Sequence, residues 1–249
     1  MKILALYNLK GGVGKTSAAV NLAYMAAQQG IPTLLWDLDA QGAATWYLGV
    51  ETGLETSAKK LFRGKSPLGQ EVRPTRFPAL EVLPADVSFR NLDDRIEKGG
   101  DGRRLLQELV APFAETYGLL VLDCPPSFSR LAESVVQAAD MVLSPTIPAP
   151  LSLRAWLQMQ SHFGSRKYAR GKLVSFFSMV DRRRTLHRNW TDQPPDALSG
   201  GLRAWIPYAT QVEQMGVRRA PIEVFAPRAA VSHAFRGLWR EVARRAAVG

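Results

Sequence analysis

The stretch that most constrains the fold is residues 2 to 29, KILALYNLKGGVGKTSAAVNLAYMAAQQ. Lys2 to Tyr7 is a short apolar run of strand type, and Gly11, Gly12 and Gly14 allow a tight turn whose backbone N–H groups point inward. Thr16 to Gln29 is rich in Ala, Leu and Met, and Gly30 followed by Pro32 marks where that helix must stop. A strand, a glycine turn and a helix in this order open a βα unit, whose strand must be covered on both faces.

Similar runs recur along the chain. Seven candidate strands are Lys2 to Tyr7, Thr33 to Leu38, Leu80 to Pro84, Gly118 to Leu122, Met141 to Pro145, Leu173 to Val180 and Leu202 to Ile206. Several are continuously apolar, such as LLVL at 119–122, as parallel strands between two helical layers require. Their alternation with helix-like segments predicts an α/β fold with a doubly wound, mostly parallel sheet of about seven to eight strands. Residues 49–79 are interrupted by Gly and Pro and are expected to hold one short helix around Ser57 to Phe62; residues 192–201 read as a loop. No internal repeat, low-complexity tract or domain boundary breaks the pattern, so residues 1–249 are expected to form a single domain.

Composition narrows the class. Hydrophobic residues make up 46% and charged residues 22%, enough apolar material for a substantial core. The one cysteine, Cys124, excludes a disulfide framework and favours a reducing compartment. Beside Asp123 it reads as a small buried residue, with no histidine nearby in sequence to activate it. His162, His187 and His233 have no metal-ligand spacing, and Trp36, Trp205 and Trp239 read as core or near-core packing. The first residues are too short and too polar for a signal-peptide core, and no apolar run approaches ~18 residues, so a cytoplasmic location is expected.

The net charge of +10 is unevenly placed: residues 1–125 hold 14 Lys/Arg and 14 Asp/Glu, whereas residues 126–249 hold 18 and 8. A basic second half suits a polyanion, because clustered Lys and Arg gain free energy by releasing condensed counterions. Solvated helix faces are the alternative reading of the same arginines.

The polar residues gather where the strands end. Lys10 to Thr16 follows the first strand, DLDAQ (37–41) the second, DCPPS (123–127) the fourth and PTIP (145–148) the fifth. In an open parallel sheet that edge is where ligands bind, so these turns should converge. The glycine turn matches the phosphate loop G-x-x-x-x-G-K-[ST] except that Leu9 stands at the first glycine, and an extra lysine, Lys10, precedes Lys15 by five residues. Gly11 to Gly14, including Val13, would cradle phosphate oxygens at the start of the Thr16 helix, Lys15 would bridge terminal phosphates and the Thr16 hydroxyl would ligate Mg²⁺. Asp123, ending an apolar strand, suits the acid that holds Mg²⁺ beside such a loop.

KGGVGKT with its early lysine, DLDAQGAAT, LLVLDCPPS and VLSPTIPAPLSL resemble the deviant Walker-A ATPases of the ParA/MinD group, most nearly the ParA-type partition ATPases. SMVDRRRTLHR and IPYATQVEQMGVRRAPI extend the likeness over nearly the whole chain. With the glycine loop so close to Met1, the chain resembles the small form that lacks an N-terminal helix-turn-helix. The resemblance implies a P-loop NTPase fold of the SIMIBI type, ATP and Mg²⁺ as cofactors, and slow hydrolysis stimulated by a partner.

The same resemblance assigns roles. Lys10 matches the signature lysine that reaches the partner's phosphates in an ATP-sandwiched homodimer, which explains why Leu9 is tolerated. Lys15 and Thr16 match the P-loop lysine and the Mg²⁺ ligand, with Ser17 completing the nucleotide loop, and Asp123 matches the Walker-B acid. Asp39 matches the carboxylate that orients the attacking water, and Asp37 lies in the Mg²⁺ shell. Adenine contacts are expected from Met179 to Asp181 and from Pro207.

Nonspecific DNA binding, a ParB-like or other adaptor that stimulates hydrolysis, and a nucleoid-associated location are also implied. Candidate DNA contacts are Arg182, Arg183, Arg184, Arg203, Arg218 and Arg219, with Arg166, Lys167, Arg170, Lys172, Arg188 and the arginines of the last helix in reserve. One departure stands out: many ParA-type proteins carry arginine directly after the Ile-Pro turn, and here Tyr208 occupies that place. The rival reading is MinD-like membrane attachment through the tail, where Val231, Ala234, Phe235, Leu238, Trp239 and Val242 recur at helical spacing among arginines. Packing of that stripe on the sheet is favoured. An ATP-dependent amidoligase or small-molecule kinase of related fold is a further alternative, without a glutaminase segment or an evident acceptor pocket to support it.

Overall fold

A computed structural model describes residues 1–62, 65–91 and 104–248. Its strands are β1 (Lys2–Leu6), β2 (Thr33–Asp37), β3 (Arg73–Pro74), β4 (Leu80–Leu83), β5 (Leu119–Asp123), β6 (Met141–Thr146) and β7 (Leu173–Phe177). They form one sheet in the order β3-β4-β2-β5-β1-β6-β7, parallel throughout except for the short antiparallel pair β3–β4. The helices are α1 (Lys15–Gln28), α2 (Ala43–Tyr47), α3 (Ala58–Leu61), α4 (Leu105–Val110), α5 (Arg130–Ala138), α6 (Pro150–Gly164), α7 (Thr185–Asp192), α8 (Thr210–Arg218), α9 (Ile222–Phe225) and α10 (Ala230–Ala246).

Successive strand residues point to opposite faces, and both faces are apolar, so every central strand feeds two cores. Leu4, Leu6, Leu35, Leu119, Val121 and Leu143 pack under α1 and α10; Ala5, Leu34, Trp36, Leu120, Leu122 and Val142 pack under α4, α5 and α6. The tail of the chain belongs to the first core: Val231, Phe235, Leu238, Trp239 and Val242 are all at most 2% exposed. Trp239 Nε1 donates to Gln29 Oε1 at 2.9 Å, which ties α10 to the end of α1.

Two of the expected elements differ. Leu202 to Ile206 is not a strand: it runs irregularly beside β7, donating from Leu202 N to Ser175 O and from Ile206 N to Phe177 O, but among the described residues only Val180 and Pro207 form a bridge. That bridge is closed by Val180 N donating to Ile206 O and Tyr208 N donating to Val180 O, both at 3.0 Å, and no further described residue pair extends it into a ladder. The Leu173 to Val180 run also stops early, at Phe177, because Met179 turns into the left-handed region at φ 54°. Conversely β3, with an arginine and a proline, carries no strand signal and exists only because β4 pairs with it.

Candidate nucleotide site

β1 delivers the chain to the carboxyl edge of the sheet between β5 and β6, and the turn 8–14 lies directly over it. Asn8 anchors that turn: buried, it donates from Nδ2 to Ser144 Oγ at 3.0 Å and to the Pro145 carbonyl at 2.9 Å, and accepts from Lys10 N at 2.9 Å. Gly14 caps α1 at φ 93°, and a Cβ there would stand 2.8 Å from Ser178 Oγ. Only glycine fits that backbone. No side chain caps the first turn of α1, so its N–H groups remain available to an anion, and the helix dipole favours negative charge at the same spot.

Lys15 is buried, and its Nζ donates to the Lys10 carbonyl at 3.3 Å, across the loop. Burial lowers its pKa, while the neighbouring Asp123 carboxylate works in the opposite direction. Asp123 ends β5 on the α1 face, as strand alternation dictates for 119, 121 and 123, and is 1% exposed. Among the described residues neither of its carboxylate oxygens has a hydrogen bond of regular geometry. Burial and the Asp37 charge push its pKa well up; the nearby Thr16 hydroxyl and Lys15 counteract part of this. Asp37 is fully buried one strand away, and its Oδ2 accepts from Thr45 N at 2.9 Å and Thr45 Oγ1 at 2.8 Å. Burial raises its pKa to about 6, against those hydrogen bonds.

A buried carboxylate with two unused acceptors, beside a hydroxyl, a lysine and an uncapped helix start, fits a magnesium nucleotide. Asp123 and Thr16 would hold the ion, with Asp37 behind them. The ion would supply positive charge that offsets the negative charge of the phosphates. What the chain itself provides is a preformed set of donors for phosphate oxygens and, in Asp39, a half-exposed carboxylate whose Oδ1 accepts from Gln41 N at 3.0 Å.

Gly11, Gly12, Gly14, Lys15, Thr16 and Ser17 line one end of a cleft of about 460 Å³ together with Asp39. Met179, Pro207, Tyr208, Val212 and Glu213 form the other end, with Ala43 and Tyr47 of α2 along the side. Val13 is buried beneath the loop. Of the residues expected at the base end, Met179 and Pro207 line the cleft; Asp181 does not, and its carboxylate takes Arg183 Nε at 2.9 Å, which holds its pKa at about 2. Lys10 is not part of the lining either: its Nζ points to Ser152 Oγ at 3.4 Å, near the start of α6. Cys124 is buried and burial pushes its thiol pKa well up, in keeping with a packing role. The described residues contain no His/Cys/Asp/Glu cluster of metal-binding type.

Sequence reasoning missed Thr45, Tyr47, Ser178, Val212 and Glu213. All but Tyr47 lie within the stretches that carry the family resemblance, yet no role attaches to them there, and each is brought to the site by an element whose position only the fold decides. Tyr208 was noted only as a departure from a pattern, yet it lines the base end, with its hydroxyl 3.4 Å from Glu213 Oε1.

The arginines expected on a DNA surface divide. Arg182 is paired with Asp192 at 3.4 Å and lies over Trp205, and Arg183 is paired with Asp181. Arg166 pairs with Glu133 at 3.1 Å, and Lys172 Nζ donates to the Gln137 carbonyl. Arg219 is half-buried, stacked on Trp46 and bound to Glu51. Arg184, Arg203 and Arg218 are exposed.

A family model described as an AAA domain matches residues 1–167. The chromosome partitioning protein ParA of Caulobacter vibrioides is 30% identical over 98% of this chain and 95% of its own length, and the chromosome-partitioning ATPase Soj of Treponema pallidum is 28% identical over 98% of both. Among solved structures, apo McdA of Cyanothece superposes with a TM-score of 0.85 at 18% identity, covering 97% of this chain and 99% of McdA. MinD of Pyrococcus horikoshii complexed with Mg-ADP gives 0.78 at 20%, covering 98% and 97%. These two structural likenesses concern the fold, whereas the family model and the ParA relative cover enough sequence to decide membership: the chain belongs to the ParA/MinD family of P-loop ATPases.

Proposed function

We propose that this protein is a Mg²⁺-dependent ATPase that forms an ATP-bound homodimer, binds DNA without sequence preference and segregates or positions a cargo, with a ParB-like or other adaptor stimulating hydrolysis. The observation that carries the nucleotide half of this reading is the orphaned Asp123 carboxylate beside Thr16 and Lys15 at the mouth of an uncapped helix. In the proposed roles Lys15 neutralises phosphate charge, Asp39 orients the attacking water, and Lys10 serves the partner subunit's nucleotide. Its Nζ, outside its own cleft, is in keeping with a role in trans.

For DNA over membrane, the favourable observation is α10. Its apolar stripe is committed to the core, leaving an outward face where His233, Arg240 and Arg244 are exposed, while Arg236 between them is paired with Glu223. A helix whose apolar face is already buried has little left to insert into a bilayer. No helix among the described residues is long and apolar enough to cross a membrane. Nucleoid association is the corresponding location.

The test is DNA binding across a salt series with ATP, ADP and no nucleotide, with vesicles of anionic lipid as a parallel arm. The expected result is ATP-dependent retention of any DNA sequence, with log affinity falling linearly with log salt. ATP-dependent pelleting with vesicles and no DNA retention would overturn the DNA reading in favour of membrane positioning.

A further inference from the structure

Arg219 closes α8 in a conformation that side chains avoid, at φ 48°. The surroundings hold it there. Arg76 Nη2 donates to the carbonyls of Arg218 at 3.1 Å and Arg219 at 2.7 Å. The Arg219 guanidinium lies 3.9 Å from the centre of the Trp46 ring, and donates to the Trp46 carbonyl at 3.3 Å, the Val50 carbonyl at 3.3 Å and Glu51 Oε1 at 3.1 Å. Trp46 answers from α2, its Nε1 donating to the Gly216 carbonyl at 2.9 Å. One arginine and one tryptophan thus fasten the outer end of α8 to α2 and the turn after it.

Both fastened elements are walls of the nucleotide cleft. Ala43 and Tyr47 of α2 line it, as do Val212 of α8 and Tyr208 just before that helix. Between Ala43 and Tyr47, Thr45 holds the Asp37 carboxylate through its backbone and its hydroxyl. At five residues α2 is too short to hold its own place, since a single turn barely offsets the cost of nucleating it. Tertiary contacts must therefore set where it sits, and the Arg219–Trp46 contacts reach it from the base end.

We infer that Arg219 is a positioning residue for nucleotide binding: with Trp46 it clasps α8 against α2 and so sets the width of the cleft between Tyr47 and Val212. This rests on the ATPase reading. It also reassigns Arg219, which sequence alone groups with the DNA-contacting arginines, because a guanidinium stacked at 3.9 Å and bound to Glu51 is engaged within the chain.

Arg219→Gly is the informative variant, since glycine accepts the left-handed backbone and so removes the clasp while relieving the strain. ATP affinity of the full chain, measured with a fluorescent ATP analogue, is expected to fall about five- to tenfold, with a urea midpoint close to that of the wild type. Trp46→Leu should weaken ATP to a similar extent, and the double variant no further than either single change, because the two residues act as one device. Arg219→Lys keeps the charge but loses the planar fork and should fail to restore affinity. A wild-type chain that binds ATP, with folded Arg219→Gly and Trp46→Leu proteins that bind it equally well, overturns the clasp alone. Should Arg219→Gly not fold, Arg219→Lys decides: wild-type affinity overturns the inference, reduced affinity supports it. A wild-type chain that binds no ATP overturns the ATPase reading, and the clasp's role with it.

Discussion

Asp37 and Asp123 are partners in register across β2 and β5, two buried carboxylates side by side at the carboxyl edge of the sheet. Burial raises both; the Asp37 charge raises Asp123 further, and the Asp39 charge adds to the rise at Asp37. With the folded-state pKa above the unfolded value, the folded chain holds protons that the unfolded chain releases, so stability without nucleotide should fall as pH rises from about 4 through the Asp37 value of about 6. A shift of about two units corresponds to roughly 3 kcal/mol at most. Urea titrations from pH 4 to 8 check this, and added Mg²⁺-nucleotide should remove most of the decline.

Asp123→Asn follows from the same pair. It removes a buried charge that has no regular hydrogen bond, so the protein without ligand should gain roughly 1 to 3 kcal/mol at pH 8 and little at pH 4. Mg²⁺-dependent ATP binding should be lost at the same time. Calorimetry at the two pH values, with and without Mg²⁺, separates the effects; equal stability of variant and wild type at pH 8 would contradict the buried-charge account.

Gly14→Ala places a Cβ at φ 93° and 2.8 Å from Ser178 Oγ. The clash can be relieved by Ser178→Ala, but the backbone strain cannot, so the double variant should stay destabilised by about 1 to 3 kcal/mol and should bind ATP poorly. Full recovery on adding Ser178→Ala would mean that the loop adapts and that crowding was the only constraint.

Lys10 and Asp39 should separate binding from assembly. Lys10→Ala is expected to leave ATP binding by the monomer nearly intact while abolishing ATP-dependent dimers in light scattering. Asp39→Ala should slow hydrolysis at least about tenfold and accumulate the ATP dimer. An Asp39→Ala protein that remains monomeric with ATP would contradict the assigned role.

On α10, charge reversal at Arg240 and Arg244 should lower DNA affinity at least about tenfold and reduce the slope of log affinity against log salt by about 2. The same change at Arg182 and Arg183, which are already paired with Asp192 and Asp181, should do less.

The sequence by itself determined the parallel α/β fold, because continuous apolar strands alternating with helices leave few other ways to bury both faces. It also marked the candidate phosphate loop, whose glycines, lysine and threonine are contiguous and therefore come together wherever the strand–turn–helix unit forms. Asp37 and Asp123 were legible because both end apolar runs, although their direct pairing needed the strand order β2-β5-β1. Only the tertiary structure decided which arginines are free and which are occupied: Arg218 and Arg219 are neighbours in sequence, yet one is exposed and the other stacks on Trp46, 173 residues away. It likewise turned Leu202 to Ile206 from an expected strand into an irregular segment that carries Pro207 and Tyr208 to the cleft. Local pattern reports what a segment prefers, whereas partners far apart in the chain are chosen by which surfaces the packed sheet brings together.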